Sequence, residues 1–322
     1  MIHHLYSKVT MKKLILILFL LSAPNIFGQA CCTAGTPLLS SLETSSTPFQ
    51  SLQFGVSYRY NSIGTIFISD SQLDDDSRER VSKSIILQVD YGIWKDFSVT
   101  ALFSYIQQER IILSPLGGEN LLETKGIGDA LLMMKYNIIP LNILDEIEFT
   151  IGGGIKIPLG ESQLTSNGLL IPADMQPGSG SWDFLGWLYF SKGRLFELPL
   201  SIISNLSYRI NGTNNRFEVD GFDYKFGNEF IAQLGLAYKT DFISDFLLFI
   251  RYRNAQSDIS RGFQIPNTGG DWVYIVPGIN FKLDNSKTVR LSGEIPLYVN
   301  VNGTQLTTSY TTTLAFYYSI NL

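Results

Sequence analysis

The chain has 322 residues, of which 45% are hydrophobic and only 16% charged, against the roughly 25% charge usual for soluble domains. Aromatics reach 13%, with 21 Phe, 16 Tyr and 28 Gly, a composition that favours strands and turns over helices. The formal net charge is −5, so a disordered chain and a nucleic-acid partner are both excluded.

The first 30 residues read as a processing segment. Lys12 and Lys13 precede the apolar run Leu14 to Leu21, and Ser22, Ala23, Gly28 and Ala30 supply small residues near a cleavage point. Residues 1–10 are expected to be an upstream start error or a dispensable extension, because Met11 opens an ordinary leader. Cleavage would remove Lys8, Lys12 and Lys13, taking 24 basic residues to 21 against 29 acidic, a net charge of about −8. The only cysteines, Cys31 and Cys32, follow directly. Gly28 and Gln29 fit a lipidation signal poorly, so an ordinary exported tail is expected and no disulfide framework. Residues 31–50 are expected to form a periplasmic N-terminal segment and are a candidate plug, with 51–322 forming the main domain.

From Ser51 onward the chain alternates. Leu52, Phe54, Val56, Tyr58 and Tyr60 share one face of the first segment, while Gln53, Gly55, Ser57 and Arg59 share the other. The same period of two predicts strands over 51–61, 84–93, 96–106, 128–138, 146–157, 180–191, 198–211, 224–240, 244–255, 271–283, 287–300 and 306–321. The connections alternate between long and short, with 62–83, 107–127 and 158–179 long and 94–95, 241–243 and 284–286 short. An even number of antiparallel strands with long loops on one side and short turns on the other is the form of an up-and-down outer-membrane β-barrel. A soluble β-sandwich would also show one apolar and one polar face. It would not explain the loop alternation, the lack of a linker between two halves, or the aromatics toward strand ends (Tyr91, Trp94, Trp182, Phe190, Trp272, Tyr318). The expected fold is therefore all-β, a transmembrane antiparallel barrel of about 12 strands. No run approaches 18 consecutive apolar residues after the leader, which excludes a helical span.

Chemistry is limited by an absence. His3 and His4 are the only histidines and both precede the leader, so Ser-His, Cys-His and Asp-His mechanisms and imidazole metal ligation are not available to the processed chain. The Gly152–Gly154 run lies inside a strand with no following helix, where glycine serves a bend or a close contact rather than a phosphate. No enzyme activity, cofactor or metal is expected. The partners expected are outer-membrane lipid and a small-molecule solute.

The best functional candidates are charges whose strand parity puts them on the lumen face: Asp90, Asp129, Lys135, Glu148, Lys156, Asp183, Arg209, Glu229, Lys239, Arg251, Arg253, Arg290 and Glu294. Such a ring can line a conduction path and set its selectivity, or it can fill a closed lumen with ion pairs. Within it, Arg209, Arg251, Arg253 and Arg290 are expected to form a positive wall opposed by Asp183, Glu229 and Glu294. The acidic run Asp74–Asp76 fits a solvated loop.

Five segments resemble an outer-membrane transporter family labelled as the MetA pathway of phenol degradation: GIGDALLMMKY (126–136), IKIPLGES (155–162), MQPGSGSWDFLGWLYFS (175–191), GGDWVYIVPGINF (269–281) and EIPLYVNVNGTQL (294–306). Their combined pattern is a Gly-x-Gly-Asp strand start, a Pro-x-Gly strand end and a Gln-Pro-Gly-x-Gly-Ser loop. The resemblance implies a monomeric or loosely associated barrel that moves small aromatic or hydrophobic molecules across the outer membrane, and it supplies no catalytic residues. The expected function is a channel for passive transport of such a solute. The alternative is a closed structural or surface-binding barrel.

Overall fold

The computed structural model describes residues 45–113, 118–141, 146–217, 223–240 and 244–322. The leader, the Cys31–Cys32 pair and most of the 31–50 segment lie outside the described residues. Ten strands follow in order: β1 (Ser51–Ser69), β2 (Arg78–Trp94), β3 (Phe97–Leu113), β4 (Ala130–Ile139), β5 (Ile147–Ile157), β6 (Asp183–Lys192), β7 (Leu200–Ile210), β8 (Glu229–Lys239), β9 (Ser244–Ala255) and β10 (Gly270–Lys282). The extended span Lys287–Asn321 folds back at Gly303, whose φ of 63° suits a residue without a side chain. Its first arm, β11 (287–301), pairs with β10, and its second, β12 (304–321), pairs with β1. The arms bring the count to twelve antiparallel strands. The β12–β1 ladder, with Tyr58 opposite Leu314, closes the twelve strands into a barrel.

Alternation sorts the side chains. On β9, Phe246, Leu248, Ile250 and Tyr252 are exposed while Asp245, Leu247, Phe249 and Arg251 are buried. Phe54, Val56 and Tyr58 on β1 and Phe184, Leu188 and Phe190 on β6 are exposed in the same way. A closed barrel that turns leucine, phenylalanine and tyrosine outward and arginine inward has an apolar exterior suited to hydrocarbon.

Two of the expected long loops are largely ladder. β1 continues to Ser69 and pairs with the short strand Ser71–Leu73, and β2 begins at Arg78, so most of 62–83 is strand. The outer end of β3 pairs with Glu119–Ile127, so most of 107–127 is strand as well. These strands run 17 to 19 residues, beyond the roughly 9–11 that cross a bilayer, and their polar ends break the apolar alternation that marks a span. By contrast 158–179 stays outside the barrel ladder, with a two-residue hairpin pairing Thr165–Ser166 with Leu169–Leu170 and one short 3-10 turn at Ala173–Met175.

One of the register shifts moves side chains across the wall in a way the sequence hides. Val273 pairs with Tyr298 and Tyr274 with Pro296, leaving Leu297 as an extra residue in β11. This β-bulge reverses the parity beyond it, so Val299 and Val301 are buried inside rather than facing lipid with Leu291 and Ile295. Trp272, expected in the exterior aromatic belt, is likewise inside and only 3% exposed, because it stands on the same face of β10 as Tyr274 and Val276.

Candidate functional site

The lumen is built from inward residues of every strand, and it is less polar than the charge list alone suggests. Leu102, Leu131, Met133, Leu185, Trp187 and Tyr189 form one buried cluster, and Leu247, Phe249, Trp272, Tyr274 and Val276 belong to another. Glycines make room for the rings. Trp187 lies opposite Gly152, where an added Cβ would sit 3.0 Å from the indole, which is the close contact expected of that glycine run.

Ten of the thirteen candidate charges are buried, Arg253 and Arg290 are partly buried, and Lys239 is exposed at the turn end of β8. Rather than one ring, eleven of them form three separate groups, with Lys239 and Arg290 outside these. At the loop end, Lys156 lies 2.8 Å from Asp129 and 2.7 Å from Asp183. Asp129 also accepts hydrogen bonds from the Ser179 N–H (3.0 Å), the Ser179 hydroxyl (2.7 Å) and the Gly160 N–H (3.2 Å), while Asp183 accepts from the Gly212 N–H at 3.0 Å. This trio therefore holds loop 158–182 in the barrel mouth. Asp174 of the same loop meets Arg80 at 2.8 Å, and Thr124 donates to the Met175 carbonyl at 2.6 Å.

At the turn end, Lys135 is fully buried, 3.8 Å from Asp90, and lies 5.1 Å from the Trp187 ring centre. Its ammonium also donates to the Ser45 carbonyl at 3.2 Å, and Ser46 donates to Asn137 at 2.6 Å and to Glu148 at 3.5 Å. The Thr47 N–H donates to Ser98 at 3.3 Å. The stretch just before β1 thus runs across the inward ends of β3, β4 and β5.

The third group occupies the wall from β7 through β11 to β1. Glu229 pairs with Arg209 at 2.8 Å and with Arg253 at 2.6 Å, and Arg253 stacks 4.6 Å from the Trp272 ring centre. Glu294 bridges Arg251 and Arg59, the latter at 3.6 Å. Arg251 also donates to Gln233 through Nε at 3.2 Å and Nη2 at 3.1 Å. Glu229 and Glu294 therefore stand among the arginines, not across from them. The reason is register: Arg209 is the direct partner of Glu229 across the β7–β8 ladder, and neighbouring strands bring opposite charges closer than a lumen diameter could.

Arg59, Arg80, Asp174 and Asp245 are charged lumen-side or mouth residues missing from the sequence candidates. Arg59 shares the face of Ser57, so alternation could have supplied it. Arg80 lies in 62–83, where an expected loop carries no strand parity that would place it.

Arg59, Arg251, Arg290 and Glu294 line a cavity together with Ser57, Thr313, Tyr317, Ile86 and Val276. Its empty space, open solvent at the mouth included, is about 510 Å³. Arg290 donates to Asn280 at 2.7 Å and lies 5.7 Å from the Tyr317 ring centre.

No protein-family model and no curated protein sequence matches the chain. Among solved structures, an outer membrane channel from Pseudomonas putida F1 is similar over 86% of this chain and 97% of its own, at 14% identity and a TM-score of 0.69. The transport unit of the autotransporter AIDA-I from Escherichia coli is similar over 84% of this chain and 91% of its own, at 11% identity and a TM-score of 0.50. At these identities the likeness concerns the fold, and it agrees with the apolar exterior and the closed ladder: the chain is an antiparallel outer-membrane β-barrel.

Proposed function

We propose that the chain is a passive outer-membrane channel for a small solute with a hydrophobic or aromatic part. The observation that carries this reading is the cavity inside the barrel wall, where guanidinium and hydroxyl groups share one surface with Ile86 and Val276. The Trp187 indole N–H and the Asn205 amide in the same lumen hydrogen-bond no protein group. That arrangement is costly in a dry core and ordinary on a wall that meets water or solute. The five segments resembling the MetA-pathway transporter family favour an aromatic or hydrophobic body. With no nucleotide motif in the sequence, flux follows the gradient. Loops 69–78, 113–130, 157–183, 210–229 and 255–270 face outside, and the segment ending at Gln50 lies at the periplasmic mouth as a candidate plug.

The second reading is a closed barrel, favoured by the packing of loop 158–182 against Arg80 and Thr124 in the mouth. Conductance of the purified protein in planar lipid bilayers separates the two. Discrete current steps support the channel, and a barrel that inserts but stays silent supports the closed form.

A further inference from the structure

We propose that the turn joining β6 to β7 (193–199) is a membrane anchor, with Phe196 and Leu198 seated in the headgroup and upper acyl region of the phospholipid leaflet at that end of the barrel. The anchor does not depend on conduction, and the orientation given above makes this the inner leaflet. Exposure is the first observation. Phe196 is 88% exposed, more than any other large apolar side chain among the described residues, and Leu198 is 52% exposed. They do not stand alone: Ile138, Ile139 and Leu141 at the β4–β5 connection are exposed as well, so apolar side chains mark both neighbouring turns.

Position is the second observation. β6 and β7 have 10 and 11 residues, about the 9–11 that carry a strand across a bilayer, and Trp182 stands exposed at the far end of β6. The turn therefore falls at the membrane boundary, unlike the extended ends of β1 to β3 on the opposite side. Leu198 is itself extended, with φ −88° and ψ 157°, and keeps the parity of the exposed Leu206 and Tyr208. The lipid face of β7 thus runs on into the turn. Lys192 and Arg194 flank Gly193, giving the mix of apolar tips and long cationic chains that suits a membrane–water interface. Lipid is also the partner that already covers Leu188, Phe190 and Leu206 on the strands above.

Conformation is the third. The Gly193 N–H donates to the Glu146 carbonyl at 2.8 Å, Arg194 pairs with the Glu146 carboxylate at 2.7 Å, and the Lys239 N–H donates to the Pro199 carbonyl at 2.8 Å. A Cβ at Gly193 would fall 2.9 Å from that of Glu146, so the glycine lets the two turns close on each other. Within this frame Arg194, Phe196 and Glu197 have φ of 47°, 54° and 61°, the left-handed region that bulky side chains avoid. Such a conformation persists where its surroundings hold it, and here it projects the Phe196 ring clear of the protein.

For the test, Phe196→Cys in a Cys31→Ser, Cys32→Ser background is labelled with the environment-sensitive fluorophore NBD, and the full chain is reconstituted in vesicles of phosphatidylethanolamine and phosphatidylglycerol. Emission is expected to be blue-shifted relative to the same label at Asn285→Cys, an exposed position in the turn between β10 and β11. A nitroxide high on the acyl chain should quench it more than one near the chain end, as for a group about 5–10 Å into the interface. The shift should survive dilution of the protein with lipid. Water-like emission at 196 would overturn the anchor and leave the surface to a partner absent from the vesicles, and a shift lost on dilution would overturn it in favour of a second copy. If Phe196→Cys fails to fold, the label at Leu198→Cys reads the same surface. Bilayer conductance is a separate readout: a silent barrel with a blue-shifted label removes the channel and keeps the anchor, and a conducting one with a water-like label does the reverse.

Discussion

Gly235 on β8 stands directly opposite Phe249 on β9, and the phenyl ring occupies the space a side chain at Gly235 would need: an added Cβ would fall 2.1 Å from the ring carbon Cδ1. Both residues face the lumen and are buried. The ring covers a glycine that would otherwise leave the ladder thin. Gly235→Val should therefore push Phe249 toward Trp272 and its neighbours and cost about 1–3 kcal/mol, the usual range for overpacking. Urea unfolding in micelles, followed by tryptophan fluorescence, measures this. An unchanged midpoint would mean that the ring has room to move.

The two faces of β12 give a direct test of orientation in the membrane. Leu314 is exposed on the apolar exterior, whereas its neighbour Thr313 lines the cavity opposite Arg59. Leu314→Arg should cost about 2–4 kcal/mol near the bilayer midplane. Thr313→Glu should be tolerated, because the new carboxylate meets arginines. Folding yield in liposomes, read from the shift in gel mobility on boiling, reports both, and equal losses would show the face assignment to be wrong.

Loop 158–182 depends on one carboxylate. Asp129 receives Lys156, both donors of Ser179 and the Gly160 N–H. Asp129→Ala leaves Lys156 with Asp183 but strips the loop of its anchor, at a cost of roughly 1–3 kcal/mol for the unpaired groups. Limited proteolysis should then cut within 158–182 while the strands stay intact. Resistance equal to that of the unaltered chain would shift the credit to the contact between Arg80 and Asp174.

Topology can be read by labelling intact cells in a Cys31→Ser, Cys32→Ser background. Asp75→Cys, in the loop between β1 and β2, should react with a membrane-impermeant maleimide, and Asp284→Cys, in the turn between β10 and β11, should not. The reverse pattern would turn the barrel over. The Asp284 carboxyl is held well below its usual range by hydrogen bonds from Lys287 and Ser286. The order of this turn is therefore expected to persist above the ordinary carboxylate range and to loosen only in strong acid.

Much of the barrel could be read from alternation because the physics is local: a residue two positions along a strand meets the same solvent. Tyr58, Leu314 and Arg251 follow that rule. Val299 and Trp272 escape it for different reasons. A bulge at Leu297 moves Val299 across the wall, and Trp272 fits an interior pocket as well as a membrane interface, which composition alone does not separate. The ends of β1 to β3 were hidden because they extend past the bilayer, where nothing demands an apolar face. Ten of the thirteen candidate charges are buried, but their grouping is not legible from alternation, since partners such as Arg59 and Glu294 are 235 positions apart and meet only once the ladder has closed.

That closure has a consequence for how the barrel assembles. The seam between β12 and β1 runs from Ser51 opposite Asn321 to Ile68 opposite Thr304, and the Leu322 N–H bonds the Gln50 carbonyl at 2.7 Å. It joins the two ends of the sequence, the contact with the largest loop-closure entropy to overcome, and rewards it with one of the longest ladders in the protein. Hairpins such as β2–β3 can zip locally and early, while the seam must wait for the whole chain. Shortening the chain at its carboxyl end by a few residues should therefore leave the hairpins able to form and strand the molecule as an open sheet with two sticky edges, an intermediate destined for aggregation or for whatever machinery guards unfinished barrels.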